Sequence, residues 1–228
     1  MPTARVIQLR QLLKEKMPEL RLGVDELPAQ RSLHWSTGVP QVDEPLDGGL
    51  PKGGLTEIVA LQRGSGSALL LHALLHQAAR EHQIIALIDG ADSFDVTRVE
   101  EGILSRLLWV RCHSADEALR AADLLSRDQN LPLLLLDLVA NPMKSLRRIP
   151  ATTWFRFQRI IEPTSTVCAV LTPQAMVGPA QVRITLQPSR FSVQTFERQP
   201  AELLRELKLE ISDSRRQRQS SERLRHIA

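Results

Sequence analysis

The sequence predicts an α/β domain, a doubly wound and mostly parallel sheet with antiparallel strands at one end. Three observations carry that expectation. The runs Ile84–Asp89 and Leu131–Leu136 are apolar without alternation, so both faces of each strand must be buried, as in a parallel sheet covered on each side. Segments of helical periodicity alternate with such runs, and right-handed crossovers then place helices on both faces. The last two apolar segments, Val182–Leu186 and Phe191–Phe196, flank Pro188-Ser189 and read as a hairpin.

Taken in order, residues 4–16 form a short amphipathic helix with Val6, Leu9, Leu12 and Leu13 on one face and Arg5, Arg10, Lys14 and Lys16 around it. Pro18 ends it, and a polar connection runs to His34-Trp35. A helix this short is marginal in water, so it must dock on its own domain or on a partner. Leu55–Leu61 is a strand and Leu69–Glu81 a helix. Ile84–Asp89 is a strand closed by a carboxylate, Asp95–Leu104 a helix, and Leu107–Cys112 a strand. Ser114–Asp128 is a helix opened by a capping box, with Ser114 as N-cap and Glu117 three residues on. Leu131–Leu136 is a buried strand followed by Asp137; Thr152–Ile161 is a helix and Thr166–Leu171 a strand. The expected division is 1–34 for helix and linker, 35–198 for the core, and 199–228 for a C-terminal helix and a partly disordered basic tail.

Composition narrows the classes. Of 228 residues, 43% are hydrophobic and 24% charged, which excludes a collagen-like or wholly disordered chain. No apolar run approaches the roughly 20 residues of a membrane span, and the N-terminus lacks a signal-peptide apolar stretch. The expected location is therefore cytoplasmic, with Cys112 and Cys168 as reduced core thiols. Net charge is +3, and all of it resides after residue 211, where Arg215, Arg216, Arg218, Arg223 and Arg225 face only Asp213 and Glu222. Such a tail either keeps the protein soluble or meets phosphates or an acidic partner. His72 and His76 stand at i,i+4 with no acid between them, so they do not make a zinc-protease site. Trp154, Phe155 and Phe157 beside Arg156 and Arg159 split between two helix faces, and whichever aromatic is exposed is the candidate partner anchor.

Three segments carry chemistry. They are Ser36-Thr37-Gly38 with Leu46-Asp47-Gly48-Gly49-Leu50-Pro51-Lys52-Gly53-Gly54-Leu55-Thr56-Glu57-Ile58, then Ala86–Asp95, then Leu133–Ala140. In order and spacing, residues 35–196 resemble the RecA recombinase core, so the fold expected is RecA-like. There the phosphate loop follows the Glu-Ile strand, an acidic signature closes the next strand, and Asp137 stands at the Walker B position. A working phosphate loop needs glycines whose N–H groups cradle phosphates, a lysine for the outer phosphates and a hydroxyl for magnesium. The loop here is Gly64-Ser65-Gly66-Ser67, with Gly66 in register with the lysine and Ser67 with the hydroxyl. No lysine lies between Lys52 and Lys144, and Arg63 precedes the glycines. Ala91 takes the place of the water-activating glutamate, with Asp92 one residue late. Losing both groups predicts a catalytically dead fold with no required cofactor; weak nucleotide retention at the helix N-terminus stays open as an alternative.

Of the two DNA-contacting loops that the resemblance implies, the first holds Lys144, Arg147 and Arg148, candidates for DNA or partner contact. The second, Thr172–Pro179, holds no cation, and Gln174 falls near a nucleotide-sensing glutamine. A RecA core of this size with a lysine-free glycine-serine loop is similar to the ImuA family of translesion-synthesis accessory proteins. That resemblance implies a non-catalytic adaptor of the SOS response to DNA damage. Its partners would be an ImuB-like inactive Y-family polymerase, RecA, an ImuC-type polymerase and, non-specifically, single-stranded DNA, with the tail arginines and helix 4–16 as contact regions. The alternatives are a SulA-type cell-division inhibitor and an unusual DNA-dependent RecA-like ATPase.

Overall fold

The chain divides into two units, Met1–Ser32 and Leu33–Ala228. The structure, a computed structural model, describes residues 33–62, 64–128, 130–188, 198 and 200–214, without the side chain of Arg98. The expected helix 4–16, with Val6, Leu9, Leu12 and Leu13, lies outside the described residues. So do Arg63, the segment 191–196 and the tail arginines Arg215, Arg216, Arg218, Arg223 and Arg225.

His34–Trp35 (β1) pairs antiparallel with Leu50–Pro51 (β2), and the short helix Pro40–Asp43 (α1) lies between them in sequence. The Ser36-Thr37-Gly38 turn is built around one carboxylate. Asp43 accepts from Ser36 Oγ at 2.8 Å, from Thr37 N at 2.9 Å and Oγ1 at 2.6 Å, and from Gly38 N at 3.1 Å. Trp35 is buried, so the segment read as the end of a linker is already core. At Gly49 (φ +124) a side chain would collide with the Trp35 carbonyl, which is why β1 and β2 can approach so closely.

The main sheet follows. Its members are Gly54–Ala60 (β3), Ile85–Asp89 (β4), Leu107–Arg111 (β5), Leu133–Asp137 (β6), Val167–Thr172 (β7), Val182–Leu186 (β8) and Leu209–Asp213 (β9). The order is β5-β4-β6-β7-β3-β8-β9, parallel throughout except for β9 against β8. Leftward moves from β3 run through Ser67–Arg80 (α2) and Glu101–Leu104 (α3) on one face. Rightward moves run through Ala115–Leu125 (α4), Met143–Leu146 (α5) and Ala151–Ile161 (α6) on the other. Pro200–Arg205 (α7) precedes β9. Alternation within a strand serves both cores: Leu133 and Leu135 belong to the core that includes α2, Leu134 and Leu136 to the core that includes α4 and α6. The expected doubly wound sheet is therefore present.

One expectation is revised. The partner expected for Val182–Leu186, Phe191–Phe196, lies outside the described residues, and both edges of β8 are taken, by β3 and by β9. The end strand comes instead from Leu209–Asp213, where Leu207, Leu209 and Ile211 alternate with Lys208, Glu210 and Ser212. The helix expected over Asp95–Leu104 is also split, into a 3₁₀ turn at Val96–Arg98 and α3.

At the centre of the sheet Glu57 is fully buried. Its carboxylate accepts from Thr172 Oγ1 at 3.1 Å, from Met176 N at 2.7 Å, from Val177 N at 3.0 Å and from Arg183 Nε at 2.7 Å. Arg183, about one-third exposed, also donates to the Val177 carbonyl at 3.3 Å. This ion pair pins the loop after β7 onto β3 and β8. Replacing Arg183 by Leu leaves a buried carboxylate without its counter-charge and is expected to cost about 2 kcal/mol, reduced from a fully buried pair because the guanidinium is partly solvated. Urea unfolding of the full chain measures it; an unchanged midpoint would show that the backbone donors alone hold Glu57.

Candidate functional site

Ligands of open α/β sheets bind beyond the carboxyl ends of strands, where neighbouring connections leave on opposite faces. Here that line passes the ends of β3, β4 and β6. The loop after β3 leads into α2, whose N-cap is Gly66 in the left-handed conformation (φ +94) with no side-chain cap. Gly64 is also left-handed (φ +79) and exposed, with nothing near the place of a Cβ. Gly66 differs: a Cβ there would collide with Leu207 Cδ1, and Leu207 is buried. The position in register with the lysine is thus bounded by an apolar side chain of the chain's own C-terminal segment. Ser65 is buried, and its Oγ has no hydrogen-bond partner. Ser67 begins α2 and is half-buried.

At the next two strand ends, Asp89 and Asp137 stand directly opposite each other across β4 and β6. Asp89 is buried and organises the following turn, accepting from Ala91 N at 3.3 Å, Ser93 N at 3.0 Å and Phe94 N at 2.8 Å. Asp137 accepts from Val139 N at 2.9 Å, an Asx-type turn closure. Its carboxyl is pushed up to about 6, chiefly by burial, with the backbone donor opposing and the Asp89 charge adding. Between them Asn141 Nδ2 donates to the Gly90 carbonyl at 2.7 Å, and Gly90 N donates to the Asp137 carbonyl at 2.9 Å. A side chain at Gly90 would collide with Asn141 and with the Asp137 carbonyl, so the turns after β4 and β6 pack closely on each other.

Asp92 takes the left-handed conformation (φ 51) and turns to β5, where Arg111 donates to it bidentately at 2.6 and 2.8 Å. That hydrogen bond holds the Asp92 carboxyl below its ordinary range. Arg111 also lies 4.9 Å from the Trp109 ring centroid. Neither Asp92 oxygen is directed by these bonds toward Asp137, and Ala91 brings no ionisable group.

The cations of the first loop, Lys144, Arg147 and Arg148, lie on and just after α5, and all three are exposed. The second loop is held down through its Met176 and Val177 amides on Glu57, with Val177 buried. Trp154 and Phe157 are core, and Phe155 is the exposed aromatic at 54%. His72 is turned toward Phe94, and burial lowers its pKa, with His76 adding to the shift and Asp95 opposing it. Cys112 and Cys168 are buried, and burial alone pushes the Cys168 thiol up to about 12. Among the described residues no group of three or more His, Cys, Asp or Glu could hold a metal, and no helix is long and apolar enough to cross a membrane.

Sequence reading missed two residues of this region. Glu57 announced itself as a charge inside an otherwise apolar strand, which demands a buried partner. Leu207 announced itself only through the alternation it opens, Leu207-Lys208-Leu209-Glu210-Ile211.

The Asp137 shift has a definite sign. Its folded value of about 6 lies above the ordinary 3.8, so the folded state binds this proton more tightly than the unfolded chain. The resulting stability is fully present below about pH 4 and is lost as pH rises through about 6. Asp137→Asn, which keeps the acceptor for Val139 N, is expected to be more stable than the native chain at pH 8 by up to about 3 kcal/mol. At pH 4 the two should unfold at the same urea concentration. Equal midpoints at pH 8 would refute the buried-carboxyl account.

Comparison with known proteins follows the same outline. No family model matches the chain. Protein RecA of Chlorobaculum tepidum is 33% identical over 124 residues, 53% of this chain and 35% of that protein. Protein RecA of Nostoc sp. is 31% identical over 107 residues, 46% of this chain and 30% of that protein. The chain therefore spans about a third of the length of the curated relatives it matches. The crystal structure of the RadB recombinase superposes with a TM-score of 0.51 at 18% identity, covering 68% of this chain and 84% of that one. Weak homology over half the chain and the shared sheet architecture agree that this chain has a RecA-like core.

Proposed function

We propose that this chain is a RecA-like accessory protein that does not cleave nucleotide and acts by joining macromolecules in damage-tolerant DNA synthesis, in the manner of the ImuA family. One observation carries the reading. Phosphoryl transfer needs a cation positioned against the outer phosphates, and at Gly66 there is a left-handed glycine packed by Leu207. Around it, Asp92 is committed to Arg111 and Asp137 to the turn at Val139. The RecA likeness supports a role in DNA repair or recombination; the finer assignment rests on the motif resemblance of residues 35–196.

A partner face is available on α4 and α6. Leu124 and Phe155 are exposed at 71% and 54%. Asp123, beside Leu124, binds Arg127 just past α4 and Arg156 on α6, each at 3.1 Å, and the second pair ties α4 to α6. Arg120 and Arg159 are also exposed on these helices. Exposed apolar side chains on helices that also carry exposed arginines suit an acidic partner surface with an apolar anchor. On the ImuA-like reading that partner is the ImuB-like inactive polymerase, with RecA, an ImuC-type polymerase and single-stranded DNA as further members of the assembly.

Two measurements test this. ATP hydrolysis by the full chain with single-stranded DNA is expected to stay at the buffer background, and Gly66→Lys is expected not to raise it. Turnover that Asp137→Ala abolishes would defeat the non-catalytic reading. In a binding assay with the inactive polymerase, Leu124→Ser with Phe155→Ser is expected to weaken capture at least about tenfold, as loss of a hot spot does. Capture at the native level would remove this face from the proposal.

A further inference from the structure

The C-terminal part of the described core is fastened at separated points. Leu207, 5% exposed, lies against Gly66 at the start of α2. The Leu204 carbonyl accepts from Gln41 Nε2 of α1 at 3.1 Å. β9 then pairs along β8 from Leu209 to Asp213. Gln187 N donates to the Lys208 carbonyl at 2.8 Å and Ser214 N to the Gln181 carbonyl at 2.9 Å, and an open groove of about 530 Å³ lies alongside, lined by Gln41, Pro45 and Leu207–Ile211. Of these fastenings, the Leu207–Gly66 contact is the one that touches the loop.

We propose that the degenerate phosphate loop is a socket for the chain's own C-terminal strap, residues 200–214, with Leu207 as the plug. Seating of the strap and opening of the α2 N-terminus then exclude each other, because Leu207 covers the loop residue that opens the helix. This rests on the reading above, that the loop does not hold a nucleotide for cleavage. It adds a structural use for a loop that has lost its lysine. The absence of a Cβ at residue 66 is what admits the plug.

Two glycines make the test specific. Gly64→Ala and Gly66→Ala both place a side chain in the left-handed region, but only residue 66 also meets Leu207. Amide hydrogen exchange on the full chain reads the result. Gly66→Ala is expected to speed exchange over residues 209–213 about tenfold, as overpacking a closed contact loosens it. Gly64→Ala is expected to change it by less than about threefold. Leu207→Ala should speed exchange both in 209–213 and in the first turn of α2, residues 67–70. Equal effects of the two glycine variants would overturn the socket. So would a Leu207→Ala variant that loosens β9 and leaves residues 67–70 unchanged, or an equal shift in the β6 amides, which would mean global rather than local opening. ATP turnover by the native chain would defeat the non-catalytic reading, while the exchange pattern decides the socket separately.

Discussion

A carboxylate buried in the middle of a sheet must have its lone pairs answered, and Glu57 has four donors from three segments. That single requirement draws together β3, the end of β7, the following loop and β8. It also determines what the second loop can do. A segment whose amides are bonded to the central strand and whose Val177 is buried has little freedom to wrap around another chain. The ion pair thus favours the antiparallel end of the sheet over an extended recognition loop, and β9 completes that end.

The residues that carry the RecA likeness have local structural duties in this fold. The Ser36-Thr37-Gly38 turn is closed on Asp43; Gly49 permits the approach of β1 to β2. Gly53 (φ +69) passes beside the carbonyls of Glu162 and Thr164, where a Cβ would meet them at 2.9 and 3.0 Å. At the β4 and β6 ends, Asp89 and Asp137 bind the turns that follow them. Such positions serve the scaffold itself, whether or not a nucleotide is ever bound.

Much of the fold was legible because burial on both faces leaves an unmistakable mark: the runs at 84–89 and 131–136 could not be half-exposed strands. Capping was equally plain at Ser114, whose Oγ accepts from Glu117 N while Glu117 reaches back to His113 N. The end strand Leu209–Asp213 was not read from the sequence, because Phe191–Phe196 alternates as it does, and alternation does not say which segment reaches the edge of β8. Only the sheet order decides that, and it depends on contacts far apart in sequence. The loss of a lysine at the loop was visible in the sequence, whereas what replaced it was not. Leu207 is 141 positions from Gly66 in the numbering, and no local pattern links them.

The packing at Gly66 bears on how such a loop changes over generations. On the proposed non-catalytic reading, a lysine at residue 66 would not by itself make a working loop, because it would need a different backbone turn and the displacement of a leucine encoded far downstream. Each of those changes alone loosens the molecule without yielding chemistry. On that reading, the contact between Gly66 and Leu207 would act as a ratchet that turns one way.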